Sequence, residues 1–335
     1  MTARTRVLVL SPAFHGYWQS IERALSQRGH DVRTVTYDDH RGAARIAAKL
    51  VRELPERLGA SDARRRSAAS RRARDAVLAH DPDVLVLVKA DVFDDDFWDL
   101  LDRRRQRRVL WVYDELRRTG HTDRTLAAAG AVASYSRLDV ARLEARGLRT
   151  VHLPLAHDPD IPVVPRPSDE VAFVGARYPA REDLLRRLHT AGVPVRAHGR
   201  DWSRHPVDRA RTWRLGHPGL PAGRDLTRSV AYGVMAGARA TLNIHGDQDG
   251  FTMRTFEACG VGSVQLVDRA DVSLHYEPGV EVAVFGSAEE AADLARRAGR
   301  DRAWAEGLRD AGRARTLAEH TFAHRVAVLE ALWRD

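Results

Sequence analysis

One segment, Leu242–Cys259 (LNIHGDQDGFTMRTFEAC), gathers more reactive side chains than any other. Asn243, His245, Asp249, Gly250, Arg254 and Glu257 all fall within it. An apolar stretch gives way to a short polar loop, and helical spacing begins near Thr252. In an open parallel sheet, ligands bind where strands end and helices begin. A helix N-terminus presents unpaired N–H groups and a positive dipole, which suit a phosphate. Gly250 allows a close backbone approach, and Arg254 offers a bidentate partner to phosphate or carboxylate. Glu257 can accept hydrogen bonds from a diol, or it can simply favour its own helix terminus.

The N-terminal half offers groups suited to proton work. His15 lies in the loop SPAFHGYW, after the apolar run Arg6–Ser11, and could exchange a proton or bond a hydroxyl. Asp114 ends another apolar run and could orient or deprotonate an acceptor. Lys89 ends DVLVLVK and is one of only two lysines, with Lys49. It would point to the same strand-end edge as Asp114, and a transfer reaction would place it on the acceptor side. Asp94–Asp96 reads as a helix cap and first turn rather than a metal pair. The basic run 64–74, RRRSAASRRAR, lacks interleaved aromatics and reads first as a solvated helix face. Cys259 reads as a small core residue.

These groups need a scaffold, and the pattern supplies one. Strands are expected at Arg6–Ser11, Asp31–Tyr37, Asp83–Val88, Arg108–Tyr113, Val132–Ser134 and Thr150–Leu153. Helices are expected at Tyr17–Arg28, 41–79, 93–105 and 137–146. Four prolines fall within His157–Asp169, which predicts an interdomain linker over 158–169. Alternation then resumes, with strands at Glu170–Gly175, Val193–His198, Arg239–Ile244, Ser263–Val267 and Val282–Phe285. Helices are expected at Arg181–Ala191, from Thr252, and over Ala288–Ala298, Arg302–Arg315 and Phe322–Trp333. The expected fold is α/β, two facing Rossmann-like domains with parallel sheets and a cleft between them. The domains would span 1–157 and 170–315, and 316–335 would pack back on the first.

Composition excludes several classes. The chain has 335 residues, 44% hydrophobic and 30% charged, which is the balance of a globular protein. No apolar run is long enough for a transmembrane helix. A single cysteine excludes an internal disulfide and cysteine-cluster metal sites. With no secretory signal pattern either, a cytoplasmic location is expected. The net charge of +8 invites nucleic acid, but nearly all of the 54 basic residues are arginine. That is the mark of a high-GC bacterial genome, so the charge says little about partners.

The residues Asn243, His245, Gly250, Arg254, Thr255, Phe256, Glu257, Gly260 and Asp268 resemble the C-terminal signature of CgeB-like (spore maturation protein type) glycosyltransferases. Those enzymes are similar to retaining transferases with an E-x7-E element and a GT-B fold. This chain has D-x7-E instead, from Asp249 to Glu257. Phe173–Arg177 (FVGAR) with Arg181, and Val195–Trp202 (VRAHGRDW), resemble the opening of the family's donor domain. Trp111–Glu115 and Ser134–Asp139 resemble family segments in the first half.

The resemblance implies a metal-independent, retaining transfer from a nucleotide-diphosphate sugar to a natural-product, peptide or glycan acceptor, with no other cofactor. It places Gly175, Arg177, Arg181, His198, Gly199, Trp202, Asn243, His245, Gly250, Arg254 and Glu257 at the donor, with His198, Gly199 and Trp202 near the base, although Trp202 reads first as a partly buried core aromatic. Glu257 would hold the ribose, so Glu257→Ala is expected to remove donor binding and leave the fold intact. His15, Asp114 and Asp249 would be the catalytic candidates. The alternatives are a nucleotide-sugar epimerase or hydrolase on the same fold, or a nucleic-acid-binding protein using the basic helix 64–74.

Overall fold

The computed structural model describes residues 4–38, 63–213, 216 and 218–334. The chain divides into two compact units, one ending at Pro154 and resuming at Arg325, the other Leu155–His324.

In the first unit, β1 (Arg6–Ser11), α1 (Tyr17–Gln27) and β2 (Asp31–Thr36) form the opening βαβ element. Part of the expected helix 41–79 lies outside the described residues; from Ala63 it is α2 (Ala63–His80). There follow β3 (Val84–Val88), α3 (Asp95–Asp102), β4 (Arg107–Val112), α4 (Asp123–Ala128), β5 (Ala131–Ser134), α5 (Arg137–Glu144) and β6 (Thr150–His152). The sheet is wholly parallel, in the order β2-β1-β3-β4-β5-β6. Its central strands are continuous apolar runs because helices cover both faces. Every residue of β3 is buried. Asp94 caps α3 by accepting the Phe97 N–H at 3.1 Å, which matches its expected role.

The second unit contains β7 (Ser168–Val174), α6 (Pro179–Thr190), β8 (Val195–His198), α7 (Pro206–Thr212), β9 (Ala222–Gly223), α8 (Arg228–Gly237) and β10 (Ala238–Asn243). Then come α9 (Met253–Gly260), β11 (Gln265–Val267), β12 (Ala283–Val284), α10 (Ala288–Arg300) and α11 (Arg302–Glu319). Its sheet is also parallel, in the order β12-β11-β10-β7-β8-β9. The last helix, α12 (Phe322–Arg334), rejoins the first unit from Arg325 onward. There Glu330 takes two bonds from Arg28, both 2.6 Å, and one contact of 2.7 Å from His30.

The proline-rich stretch is not a free connector. Ile161 and Val163 pack against the second unit's core, and the Pro162 carbonyl accepts from Ser229 at 2.8 Å. Proline excludes helix and central strand, but not a well-packed extended segment.

Both sheets have a topological switch, where the strand order reverses about the first strand and opens a ligand-binding crevice. In the first unit it falls between β1 and β3, and in the second between β7 and β10. Most of the candidate residues follow these four strands.

Candidate functional site

In the second unit, the β7 and β10 ends carry the residues selected from the sequence. After β7, Gly175 donates its N–H to His198 O at 3.0 Å and accepts the Trp202 indole N–H at 2.9 Å. Gly199 is required by close approach: a Cβ there would lie 2.5 Å from Gly175 O. Trp202 is fully buried and meets Phe173 edge-on at 5.9 Å between centroids. A fully buried indole cannot stack on a base, so its expected place beside the base is corrected. Trp202 braces the Gly175 loop from beneath. We expect Trp202→Phe to lower stability by about 1–2 kcal/mol through the unpaired Gly175 carbonyl. Urea unfolding checks this, and a variant as stable as the wild type would refute the bracing role. His198 is half-buried, and burial holds its pKa below the ordinary value.

The arginines of this loop differ in how they are used. Arg177 forms a fork with Glu182, at 2.7 and 2.8 Å, so its charge is already matched. Arg181 is buried and donates only to carbonyls, to Ile244 at 2.8 Å and Ala176 at 3.3 Å. Among the described residues it pairs with no carboxylate. Its guanidinium also lies over the Tyr178 ring at 4.9 Å. A buried cation that forms no ion pair is costly; this one stands at the crevice, where burial lowers its pKa and the charge of Asp268 only partly opposes that.

After β10, a buried polar network fixes the helix entry. Asp268 grips His245 twice, accepting from the backbone N–H and from Nδ1, each at 2.8 Å. A carboxylate only accepts, so Nδ1 carries the proton. Nε2 faces Thr255 Oγ1 at 3.3 Å, and Asn243 Nδ2 donates to the same oxygen at 2.6 Å. His245 is buried, with its ring against Phe251, and holds the loop rather than moving protons. Arg269 clamps the loop, donating to the carbonyls of Gln248 (2.7 Å), Gly250 (3.2 Å) and Asp249 (3.0 Å). That leaves Asp249 half-buried in a fixed loop. The glycine with positive φ is Gly246 (φ 126°), not the buried Gly250.

No side chain caps α9, because the Thr252 hydroxyl donates to Asn243 Oδ1 at 3.4 Å instead. Arg254 and Glu257 are paired with each other one turn into this helix. Glu257 is 0% exposed and also accepts the Tyr232 hydroxyl at 3.3 Å. Tyr232 in turn stacks on His157, centroids 5.2 Å apart.

In the first unit, the candidates likewise follow strand ends. His15 after β1 is half-buried with φ 45°, and Lys89 after β3 has φ 63°. Ala90 beside it has φ 56°. Left-handed backbone costs a non-glycine residue about 1–2 kcal/mol and persists where surroundings enforce it. The enforcement is visible. Tyr37 OH donates to Val88 O at 3.1 Å and accepts from Ala90 N at 3.4 Å, while His121 Nε2 donates to Lys89 O at 2.6 Å. After β4, burial and then Glu115 raise the pKa of Asp114, opposed by Lys89. A raised carboxylate pKa makes a stronger base.

Sequence reasoning passed over Arg269, Tyr232, Tyr135 and His121. Tyr135 OH donates to the buried Glu115 at 2.6 Å. The basic helix is no free polyanion face: Arg72 donates to Thr36 O at 3.0 Å and Arg74 lies 3.7 Å from Asp96. Among the described residues, no cluster of His, Cys, Asp or Glu is arranged to hold a metal ion. No described helix is long and apolar enough to cross a membrane.

Comparison with known proteins bears on the fold. Residues 179–331 match the family model described as Glycosyl transferase-like. A search of the curated proteins found no sequence match. Among solved structures, sucrose-phosphate synthase from Thermosynechococcus elongatus superposes with TM-score 0.66 at 14% identity, covering 99% of this chain and 98% of that one. A glycosyltransferase from Rickettsia africae gives 0.65 at 10% identity, covering 99% and 98%. Anabaena HepE in complex with UDP-glucose gives 0.63 at 13% identity, covering 98% and 100%. Such low identities speak for the fold alone, and the family match is confined to residues 179–331. Together they show a GT-B fold for the chain and a similarity of residues 179–331 to a glycosyl transferase-like family.

Proposed function

We propose that this chain is a cytoplasmic bacterial enzyme of the CgeB-like type that transfers a sugar from a UDP-sugar to a hydroxylated acceptor, with retention and without a metal. The observation that carries the donor assignment is Arg181. It is a buried guanidinium with no carboxylate partner among the described residues, at the β7 and β10 ends. A diphosphate supplies the missing counter-charge, and the uncapped α9 N-terminus adds its dipole. Uracil is proposed because HepE, similar in fold, was solved in complex with UDP-glucose.

In this reading the Arg254–Glu257 pair opens when the donor enters. Arg254 then turns to the diphosphate and Glu257 accepts the ribose hydroxyls. Arg177 holds Glu182 and the loop rather than the ligand. Preorganised cations stabilise charge developing on the leaving diphosphate, which is the main electrostatic demand of the transfer. Asp249 sits beside the donor sugar, and Asp114, His15 and Lys89 serve the acceptor from the first unit.

A thermal-shift panel of UDP-, GDP- and dTDP-sugars tests the assignment. A ligand at 100 times its Kd stabilises by about 2.7 kcal/mol, so UDP-sugars should raise Tm clearly above the others. The rise should persist in EDTA and vanish in Arg181→Met. No shift from any nucleotide, or an undiminished shift in that variant, would overturn it. Release of free sugar without acceptor would instead mark a hydrolase.

A further inference from the structure

The first unit contains a second polar cavity that the donor assignment does not use. It has a volume of about 230 Å³ and lies beside the strained turn after β3. Arg66, Ala90, Asp91, Phe93, Gly120 and His121 are among the residues that line it. Asp91 Oδ1 is buried there and accepts no hydrogen bond among the described residues. Arg66 donates through Nη2 to Phe93 O at 3.5 Å, and its Nη1 has no bond among the described residues. The two side chains form no ion pair with each other, although both line the cavity.

Buried polar groups without partners are rare and call for a reason. Here one buried acceptor, Asp91 Oδ1, is left open, and the half-buried Arg66 offers a donor of opposite charge beside it. Asp94 is occupied as the α3 cap, and Asp95 is paired with Arg124 at 3.1 Å. His121 is committed to Lys89 O, and burial lowers its pKa, so it adds no charge. A hydroxyl both donates and accepts, so neighbouring hydroxyls can satisfy Asp91 and Arg66 together. The volume is below the roughly 300–1,000 Å³ of drug-sized sites, which limits the occupant to about one ring. The turn that presents Asp91 is held from both sides by Tyr37 and His121.

We propose that this cavity binds a neutral, hydroxylated ring the size of one monosaccharide, the recognised end of the acceptor, through Asp91 and Arg66. Its role as acceptor rests on the transfer reading above, whereas the binding itself does not. The test titrates the ¹⁵N-labelled full chain with methyl glucoside, glucosamine and glucuronate, and separately with UDP. Methyl glucoside should shift the amides of Asp91, Gly120 and His121 with a Kd on the order of 1 mM. Asp91→Asn should weaken it about tenfold while UDP affinity stays unchanged. Arg66→Gln provides the same reading should the first variant fold poorly. Shifts confined to the second unit, equal affinity in both variants, or tighter binding of either charged sugar would overturn the proposal. Failure of UDP to bind would sink the donor assignment while leaving this result in place.

Discussion

Replacing Glu257 by alanine is expected to cost both donor affinity and stability, and replacing it by glutamine mainly affinity. The carboxylate is 0% exposed and joined to Arg254 and Tyr232. Alanine leaves the Arg254 cation and the Tyr232 hydroxyl facing a small void. Breaking a fully buried ion pair costs about 3–5 kcal/mol. The Arg254 side chain keeps 20% of its exposure, so solvent reduces this to about 2–3 kcal/mol. Alanine is therefore expected to cost stability as well as binding, because Glu257 is buried and paired, which the sequence did not show. Glutamine retains an oxygen for Tyr232 and Arg254, but it loses the charge that strengthens bonds to a ribose diol. Each such bond contributes about 1.5–3 kcal/mol, so UDP affinity should fall roughly 100-fold. Calorimetry with UDP and urea unfolding on both variants separate the two effects. A glutamine variant binding UDP within about twofold of wild type would end the ribose assignment.

What was legible in the sequence was set by hydrophobic pattern. RVLVLS and DVLVLV are continuous apolar runs, and a doubly covered parallel sheet is the arrangement that buries them. The helix α8 was missed for a physical reason. RSVAYGVMAG holds two glycines and no amphipathic stripe, so its local preference for helix is weak. The structure explains those glycines, since the chain at Val164–Arg166 crosses directly over them. A Cβ at Gly233 would meet Val164 O at 2.3 Å, and one at Gly237 would meet the Arg166 backbone at 2.2 Å. The same crossing turned the expected linker into packed structure. At the loops after β7 and β10, spacing singled out Arg181 and Glu257 but could not show their states. One is a buried cation that forms no ion pair among the described residues, the other an anion already paired; only tertiary contacts decide that. Arg269 had no local signal at all, because its partners are carbonyls of a loop about twenty residues earlier.

Stability of the second unit should fall as pH drops from about 6.5 to 4, and His157 should account for about 3 kcal/mol of that fall. Burial pushes its pKa down to about 4, against the pull of Glu257 and Asp158 and with the help of Arg228 and Arg313. The ring is stacked on Tyr232 and pressed against Gly260, where a Cβ would lie 2.3 Å away. Its Nδ1 has no hydrogen-bond partner among the described residues, so nothing there welcomes a second proton. The unfolded chain takes up that proton near pH 6.5, whereas the folded chain resists until near pH 4. Between those values the unfolded state binds more protons, so stability rises with pH and is lost on acidification. Below both values the loss is complete, and above 6.5 it is absent. His198 and His121 shift in the same direction, so the difference between wild type and His157→Phe isolates this residue. Phenylalanine keeps the stack on Tyr232 and carries no proton. Urea unfolding across that pH range should give a shallower slope in the variant, and parallel slopes would remove His157 from the account. Because Tyr232 joins His157 to Glu257, the same acidification should disturb Glu257, the carboxylate proposed to hold the ribose. UDP affinity should then decline with falling pH in wild type and hold further down in His157→Phe.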